Sequence, residues 1–124
     1  MGTITNYKDL IVWKKSITLC KNIYTLTHNF PKEELYGLVS QIKRSAVSIP
    51  SNIAEGYARN STKEFVQFLH IAYGSASELE TQIEIAKELE FISEKEYNEI
   101  NAQLIEILKM LNVFIQRIKD KLVH

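Results

Sequence analysis

Apolar residues recur at alternating steps of three and four along most of this sequence. Such spacing places the side chains on one face of an α-helix, whose period is 3.6 residues. A helix with an apolar face must cover it with other elements, so helix packing is predicted to dominate the fold. The clearest run comprises Phe65, Leu69, Ala72, Ala76, Leu79, Ile83 and Ala86, and it ends on the polar Glu90.

Four segments carry this pattern and predict helices at about residues 9–28, 32–58, 62–90 and 94–121. A helix of about 25 residues is about 38 Å long, and connections of a few residues force neighbouring helices to run antiparallel. The predicted fold is all-α, a single domain of residues 1–124 forming an up-down-up-down antiparallel four-helix bundle. Only four glycines occur in 124 residues, too few for the frequent tight turns of an all-β fold.

Local signals mark three of the predicted helix starts. Pro31 suits a first helical turn, where its missing N–H would lack a partner anyway. Ser61 with Glu64, and Ser93 with Glu96, have the spacing of capping boxes. In that motif a hydroxyl and a carboxylate each satisfy a free backbone N–H.

The first predicted helix carries two apolar stripes side by side. Together they form a face wider than packing inside a bundle requires, so we expect part of it to contact another copy of the chain. One stripe is Val12, Leu19, Ile23 and Leu26, and the other is Trp13, Ile17, Cys20 and Tyr24.

Pro50 lies inside the second predicted helix, where it cannot donate a hydrogen bond to the Ala46 carbonyl. One interpretation is a kink at Pro50, with Ser48, Ser51 and Asn52 binding the freed backbone groups. The other interpretation is a polar stripe that serves as a site or a subunit contact. That stripe comprises Arg44, Ser48, Ser51, Glu55 and Arg59, at steps of four, three, four and four.

Charge divides unevenly along a chain whose net charge is zero. Residues 1–63 hold nine basic and four acidic side chains, a net of +5, whereas residues 64–124 hold six and eleven, a net of −5. Such asymmetry indicates charged partners or self-association. No segment reaches the ~18 apolar residues of a membrane helix, and a lone cysteine fits a reducing compartment. We expect a soluble, cytoplasmic protein without a membrane partner, in which Cys20 is a buried, unreactive thiol.

Recognisable catalytic and metal-binding motifs are missing. A di-iron bundle needs Glu-x-x-His on two helices, but the residues three before His28, His70 and His124 are Thr25, Gln67 and Lys121. Glycine-rich phosphate loops and paired cysteines are also missing. The carboxylates of "ELETQIE" resemble a solvated helix face more than an acid and base pair. We therefore predict no enzymatic activity, no small-molecule substrate, no cofactor and no metal.

The stretches "RSAVSIPSNIAEGYAR" and "KEFVQFLHIAYGSASELETQ" resemble the bacterial proteins encoded by intervening sequences within 23S ribosomal RNA genes. That family is related to the accessory variability protein of diversity-generating retroelements. "YKDLIVWKKSI" and "FPKEELYGLVSQIKRSAVS" fit the same pattern, so the resemblance covers nearly the whole chain. It implies four long helices in each subunit and a ring of five subunits.

The resemblance also singles out residues for a family motif or an oligomer interface. None of them is implied to be catalytic. Gly74 removes bulk from its helix, which favours close approach of another helix in the same or a neighbouring subunit. The matching positions are Arg44, Ser48, Pro50, Asn52, Glu55, Gly56, Arg59, Glu64, Gly74 and Glu78.

Two functions follow from these observations. The first is a non-enzymatic structural or interaction protein that forms a homo-oligomer, a pentamer by resemblance, and contacts a protein or RNA. The alternative is an RNA- or DNA-binding accessory protein. Relatives that bind nucleic acid are strongly basic, whereas this chain has a pI near 6.8. The candidate nucleic-acid contacts are Lys14, Lys15, Lys21, Lys43, Arg44, Arg59 and Lys63.

Overall fold

The computed structural model describes the backbone of residues 6–123 and the side chains of residues 6–121. These residues form helices and turns without any β-strand, which confirms the predicted all-α class. No helix in this range combines the length and apolar character that a membrane crossing requires. The four main helices are α1 (Ile11–Thr27), α2 (Leu38–Ala58), α3 (Thr62–Glu88) and α4 (Glu94–Val123).

Serine caps fix the starts of α3 and α4, as the sequence predicts. The backbone N–H of Glu64 donates to Ser61 Oγ at 3.2 Å. At the start of α4 the N–H of Glu96 donates to Ser93 Oγ at 3.1 Å, and the N–H of Ser93 donates to the Glu96 carboxylate at 2.8 Å. The α4 start is thus a complete capping box, and a cap of this kind contributes about 1 kcal/mol to helix stability.

The second helix begins at Leu38, later than the predicted residue 32. After Pro31 the chain forms a 3₁₀ helix, Lys32–Glu34, in which the N–H of Glu34 bonds to the Pro31 carbonyl at 2.9 Å. Gly37 then departs from helical geometry, with φ −112° and ψ −108°. Leu35 lies inside the predicted range 32–58, but it precedes the helix and is 49% exposed.

The other helix ends differ less from the prediction. A 3₁₀ helix, Tyr7–Asp9, precedes α1. The third helix ends before Glu90, whose backbone is left-handed with φ 62°. The N–H of Phe91 bonds to the Ala86 carbonyl at 2.9 Å, which is how a left-handed residue closes a helix end. Glu90 therefore forms the turn to α4 and is not the last position of the α3 stripe.

One apolar core runs through all four helices. Burying a side chain of this size contributes about 1.5–3 kcal/mol relative to leaving it exposed. The largest apolar side chains that are essentially free of solvent are Leu19 and Ile23 in α1, Ile42, Ile49 and Ile53 in α2, Leu69, Leu79 and Ile83 in α3, and Leu104, Ile107 and Leu111 in α4.

The two apolar stripes of α1 differ in burial. Trp13 and Cys20 are half-buried against the core, whereas Ile17 is 42% exposed and Tyr24 is 47% exposed. Contacts within the chain therefore bury one stripe almost completely and the other only in part. The fully used stripe consists of Val12, Leu19, Ile23 and Leu26.

Each helix packs against two others. The neighbouring pairs are α1 with α2, α2 with α3, α3 with α4 and α1 with α4, whereas no described Cα atoms of α1 and α3, or of α2 and α4, lie within 8 Å of each other. This cyclic arrangement is that of a four-helix bundle. The most extensive contact is between α2 and α3, and all ten residues of the predicted family motif lie on these two helices or in the turn between them.

Candidate functional site

A chain of polar side chains lies along the contact between α2 and α3. Ser45, which is buried, donates a hydrogen bond to the Glu78 carboxylate at 2.5 Å. One turn further along α2, the hydroxyl of Ser48 lies 2.8 Å from the hydroxyl of Ser75. Asn52 donates to both the carbonyl and the hydroxyl of Ser48, at 2.8 and 2.9 Å. We call these five residues the polar seam.

Ser48, Asn52 and Glu78 were predicted as site residues, and the fold brings all three into the polar seam. Ser45 and Ser75 complete it and were missed. The signal that was available is the small-residue run "GSAS", which lets a hydroxyl of α3 approach α2. Every hydroxyl of the seam has a hydrogen-bond partner, so the seam holds α2 and α3 in one register.

Gly56 lies where α2 and α3 come closest. A Cβ atom at Gly56 would lie 2.6 Å from Cβ of Phe68 and 3.0 Å from Cδ1 of Phe65. Both distances are shorter than a comfortable van der Waals contact, and Cβ of Phe68 cannot move without its backbone. Gly56 is therefore required for this close packing of the two helices.

Gly74 has the opposite surroundings. A Cβ atom there would meet nothing within 4 Å, and the residue is exposed. Two explanations for Gly74 are given above. No described residue of the same chain approaches it, so the explanation by close packing within the chain is wrong. Contact with a neighbouring subunit stays a prediction.

The carbonyl that Pro50 leaves without a donor is bound by the first helix. The thiol of Cys20 donates to the Ala46 carbonyl at 3.0 Å, and Ala46 is the residue four before Pro50. Ser51 is exposed and makes no side-chain hydrogen bond with a described residue. Asn52 binds the Ser48 carbonyl instead. Of the three side chains predicted to bond the freed backbone groups, only Asn52 bonds a backbone carbonyl, that of Ser48. The Ala46 carbonyl is bound by a thiol from α1.

Burial raises the pKa of the Cys20 thiol from 9.0 to about 11, because a thiolate is poorly solvated there. Cys20 is consequently a thiol rather than a thiolate at neutral pH, and the thiolate is the nucleophilic form. The interpretation of Cys20 as an unreactive thiol is supported, although the residue is half-buried rather than fully buried.

Of the remaining motif residues, Arg44, Glu55 and Arg59 are exposed. Glu55 and Arg59 form an ion pair at 2.9 Å along α2, and the guanidinium of Arg59 lies 5.0 Å from the ring centre of Phe68. Glu64 belongs to the cap of α3, and Pro50 is buried. The predicted polar stripe is therefore an exposed border of the seam, except at Ser48.

The candidate nucleic-acid residues differ in their surroundings. Lys15 binds the Glu106 carboxylate of α4 at 2.9 Å, and Lys43 lies 4.6 Å from the ring centre of Tyr24. Arg59 is on the α3 side of α2, opposite the contact between α1 and α4. The other four are exposed and make no ion pair with a described side chain: Lys14, Lys21, Arg44 and Lys63.

The carboxylates of "ELETQIE" face different helices. Glu78 accepts from Ser45 of α2, whereas Glu84 accepts from the hydroxyl of Tyr97 of α4 at 2.8 Å. That hydrogen bond, with burial and the charges of nearby glutamates, raises the pKa of Tyr97. Among the described residues no cluster of three or more histidines, cysteines or carboxylates could hold a metal ion.

The family model that matches this sequence is described as 23S rRNA-intervening sequence protein, and it matches residues 8–113. The chain belongs to this family. All ten family-motif positions named above lie inside the matched range. Membership in the intervening-sequence family agrees with the resemblance noted in the sequence.

One solved structure is similar to this chain over most of the length of both proteins. It is the crystal structure of a protein with unknown function from the S23 ribosomal protein family of Bacteroides thetaiotaomicron VPI-5482. The two chains are 31% identical, with a TM-score of 0.77 over 85% of this chain and 98% of that chain. No curated protein matches at a significant level.

We expect Cys20→Ala to destabilise the fold more than Cys20→Ser. Alanine leaves the buried Ala46 carbonyl without a donor, at a cost of about 1–3 kcal/mol, whereas serine keeps a donor. Urea unfolding of both variants measures the difference. Equal losses of stability would show that the thiol contributes only by its volume.

The same variants test the ionisation of Cys20. Because its pKa is higher in the folded chain, the folded state binds more protons between pH 9.0 and 11, and its stability falls as the pH rises through this window. The Cys20→Ser variant should lose less stability than the wild type between these pH values.

Gly56→Ala and Gly74→Ala form a matched pair. We expect the first change to destabilise the fold by about 1–3 kcal/mol, because the methyl group overlaps Phe68. The second should stabilise α3 of a single, dissociated subunit by up to about 1 kcal/mol, because alanine is the better helix former. Thermal and urea unfolding measure both, and a Gly56→Ala variant as stable as the wild type would disprove the close contact.

Proposed function

We propose that this protein is a non-enzymatic interaction protein that assembles with copies of itself into a ring. A ring of five follows from the resemblance noted above. The observation that supports assembly most directly is the incompletely buried stripe of α1. Ile17, at 42% exposed, and Tyr24, at 47%, lie on that stripe, and Val47 of α2 is 42% exposed. Covering such side chains with another subunit gains about 25 cal/mol per Å² of apolar surface.

The open surroundings of Gly74 support the same proposal. A mid-helix glycine costs about 1 kcal/mol relative to alanine, and no described residue of the chain fills the space beside it. A helix of a neighbouring subunit could approach α3 closely there. Ser75 and Ser77, on either side of Ala76, keep this part of α3 small.

The separation of charge supports a head-to-tail order of subunits. Among the described side chains, Lys15 and Glu106 form the one ion pair that joins the basic and acidic halves of the sequence. Most of the opposite charges are therefore not paired inside the chain. In a ring, the basic half of one subunit can face the acidic half of the next. Exposed pairs contribute about 0–1 kcal/mol each, so they set orientation while apolar contact supplies affinity.

Within each subunit we propose the up-down-up-down order, with a kink in α2 at Pro50. The contacts between α2 and α3 support the antiparallel direction. Ser45 meets Glu78, whereas Ser48, later in α2, meets Ser75, earlier in α3. The bond missing at Pro50 is the physical reason for the kink. We also propose a cytoplasmic location, because a single free thiol suits a reducing compartment.

A second candidate function is binding of RNA or DNA. The observation that favours it is the set of four exposed basic side chains, Lys14, Lys21, Arg44 and Lys63, which lack ion pairs with described residues. Phosphate contacts supply most non-specific affinity for nucleic acids. Zero net charge weighs against it, so assembly is the first proposal.

The assembly proposal predicts a species several times heavier than the 14.3 kDa chain in light scattering at micromolar concentration. Ile17→Lys should lower the measured mass, because it places a charge in the apolar contact. Leu89→Lys is the matched control, since Leu89 is 53% exposed at the end of α3 and outside the proposed contact. Circular dichroism checks that both variants remain helical. A wild-type monomer would refute the proposal.

The nucleic-acid proposal predicts a salt-sensitive shift of structured RNA or duplex DNA in gel titrations. The double variant Lys14→Gln with Lys21→Gln should bind more weakly, with a salt slope reduced by about 2. Lys95→Gln with Lys119→Gln, in the acidic half, is the control. Binding that is insensitive to salt, or equal loss in both double variants, would contradict this role.

A further inference from the structure

A pocket of about 480 Å³ lies between the start of α1 and the second half of α4. Its floor is apolar and consists of Leu10 and Val12, which are buried, with Met110 and Phe114, which are half-buried. We call it the α1–α4 pocket. Its volume is in the range of sites that take small molecules. It is separate from the polar seam, which lies between α2 and α3.

Two of the most exposed apolar side chains of α1 and α4 form the mouth of this pocket. Ile11 is 61% exposed and Val113 is 49% exposed. Single exposed apolar side chains are common on protein surfaces, but here both border an apolar cavity. A ligand with an apolar body would therefore cover the floor and the mouth together.

The charges around the α1–α4 pocket favour an anion. Lys109 and Arg117 border it on α4, and both are exposed and make no ion pair with a described residue. They are eight residues apart, which is about 12 Å along a helix, so one lies towards each end of the pocket. Asp9 is the single acidic residue at the border, which leaves one positive charge in excess.

The start of α1 adds to this positive potential. Its first turn contains no acidic residue, and its cap, Leu10, has no side chain that could accept from the free backbone N–H groups. The first turn of a helix carries a partial positive charge. The apolar floor, the two unpaired cations and this helix start all lie at one place on the surface.

We propose that the α1–α4 pocket binds an amphipathic anion, a small molecule with an apolar chain and one carboxylate. The chain lies on Leu10, Val12 and Phe114, and the carboxylate pairs with Lys109 or Arg117 at the border. The polar lining is confined to the three charged side chains at the border, so a ligand rich in hydroxyl or amide groups would lose hydrogen bonds to water without replacement. This site does not depend on the proposed ring.

The test is calorimetric titration of the full chain with decanoate, decanol and decyltrimethylammonium, which share an apolar chain and differ in charge. We expect one decanoate per chain, binding about tenfold or more tightly than either of the others. Displacement of the fluorescent apolar anion 8-anilinonaphthalene-1-sulfonate by decanoate gives an independent readout. Equal affinity for decanoate and decanol, or no binding, would overturn the proposal.

Variants then locate the site. Lys109→Gln with Arg117→Gln should weaken decanoate binding about threefold to tenfold, because exposed charge pairs contribute little individually. Lys119→Gln with Lys121→Gln changes the same helix outside the pocket and should leave binding unchanged. Val113→Asp should abolish binding while circular dichroism stays helical. Equal effects of the two glutamine pairs would place decanoate elsewhere. A lower oligomer mass of Val113→Asp would show that a second copy of the chain covers the pocket. Equal effects of the two glutamine pairs, or this loss of mass, would reject the proposal.

Discussion

The close contact between α2 and α3 depends on the missing side chain of Gly56. Because no Cβ atom separates α2 from Phe68, the helices approach closely enough for Ser45 to reach Glu78 and Ser48 to reach Ser75. Of the other two helices, α1 packs beside α2 and α4 packs beside α3. Pro50 in α2 is also accommodated by a small group, since the Ala46 carbonyl that it frees is bound by the thiol of Cys20 in α1. The hydrogen bond that is missing within α2 is thereby replaced by one between α1 and α2.

Much of the fold could be predicted because its signals are local. The steps of three and four in α3 and α4 and the serine caps before them involve residues close in sequence, and the structure confirms them. The start of α2 could not be predicted in this way. Pro31 suits a first helical turn, but it is equally compatible with the 3₁₀ helix Lys32–Glu34 that forms there. Spacing alone does not distinguish these alternatives, so the predicted helix starts at residue 32 whereas the observed one begins at Leu38.

The candidate site was less predictable because its contacts are between residues far apart in sequence. Cys20 and Ala46 are 26 residues apart, and only the packed structure shows that the thiol reaches the carbonyl freed by Pro50. The two glycines show the same limit. In sequence Gly56 and Gly74 are both mid-helix glycines, yet one lies against Phe68 and the other faces open space. The family resemblance pointed to both without distinguishing their roles.

Among the described side chains, the ion pair between Lys15 and Glu106 is the only one that joins the basic half of the sequence to the acidic half. Both side chains are about half exposed, so the pair adds little to a fold that is held by buried apolar side chains. At physiological ionic strength, charges more than about 8 Å apart are largely screened. Dissolved salt should therefore leave the folded chain almost unaffected, while it shortens the distance over which one chain can attract and orient another.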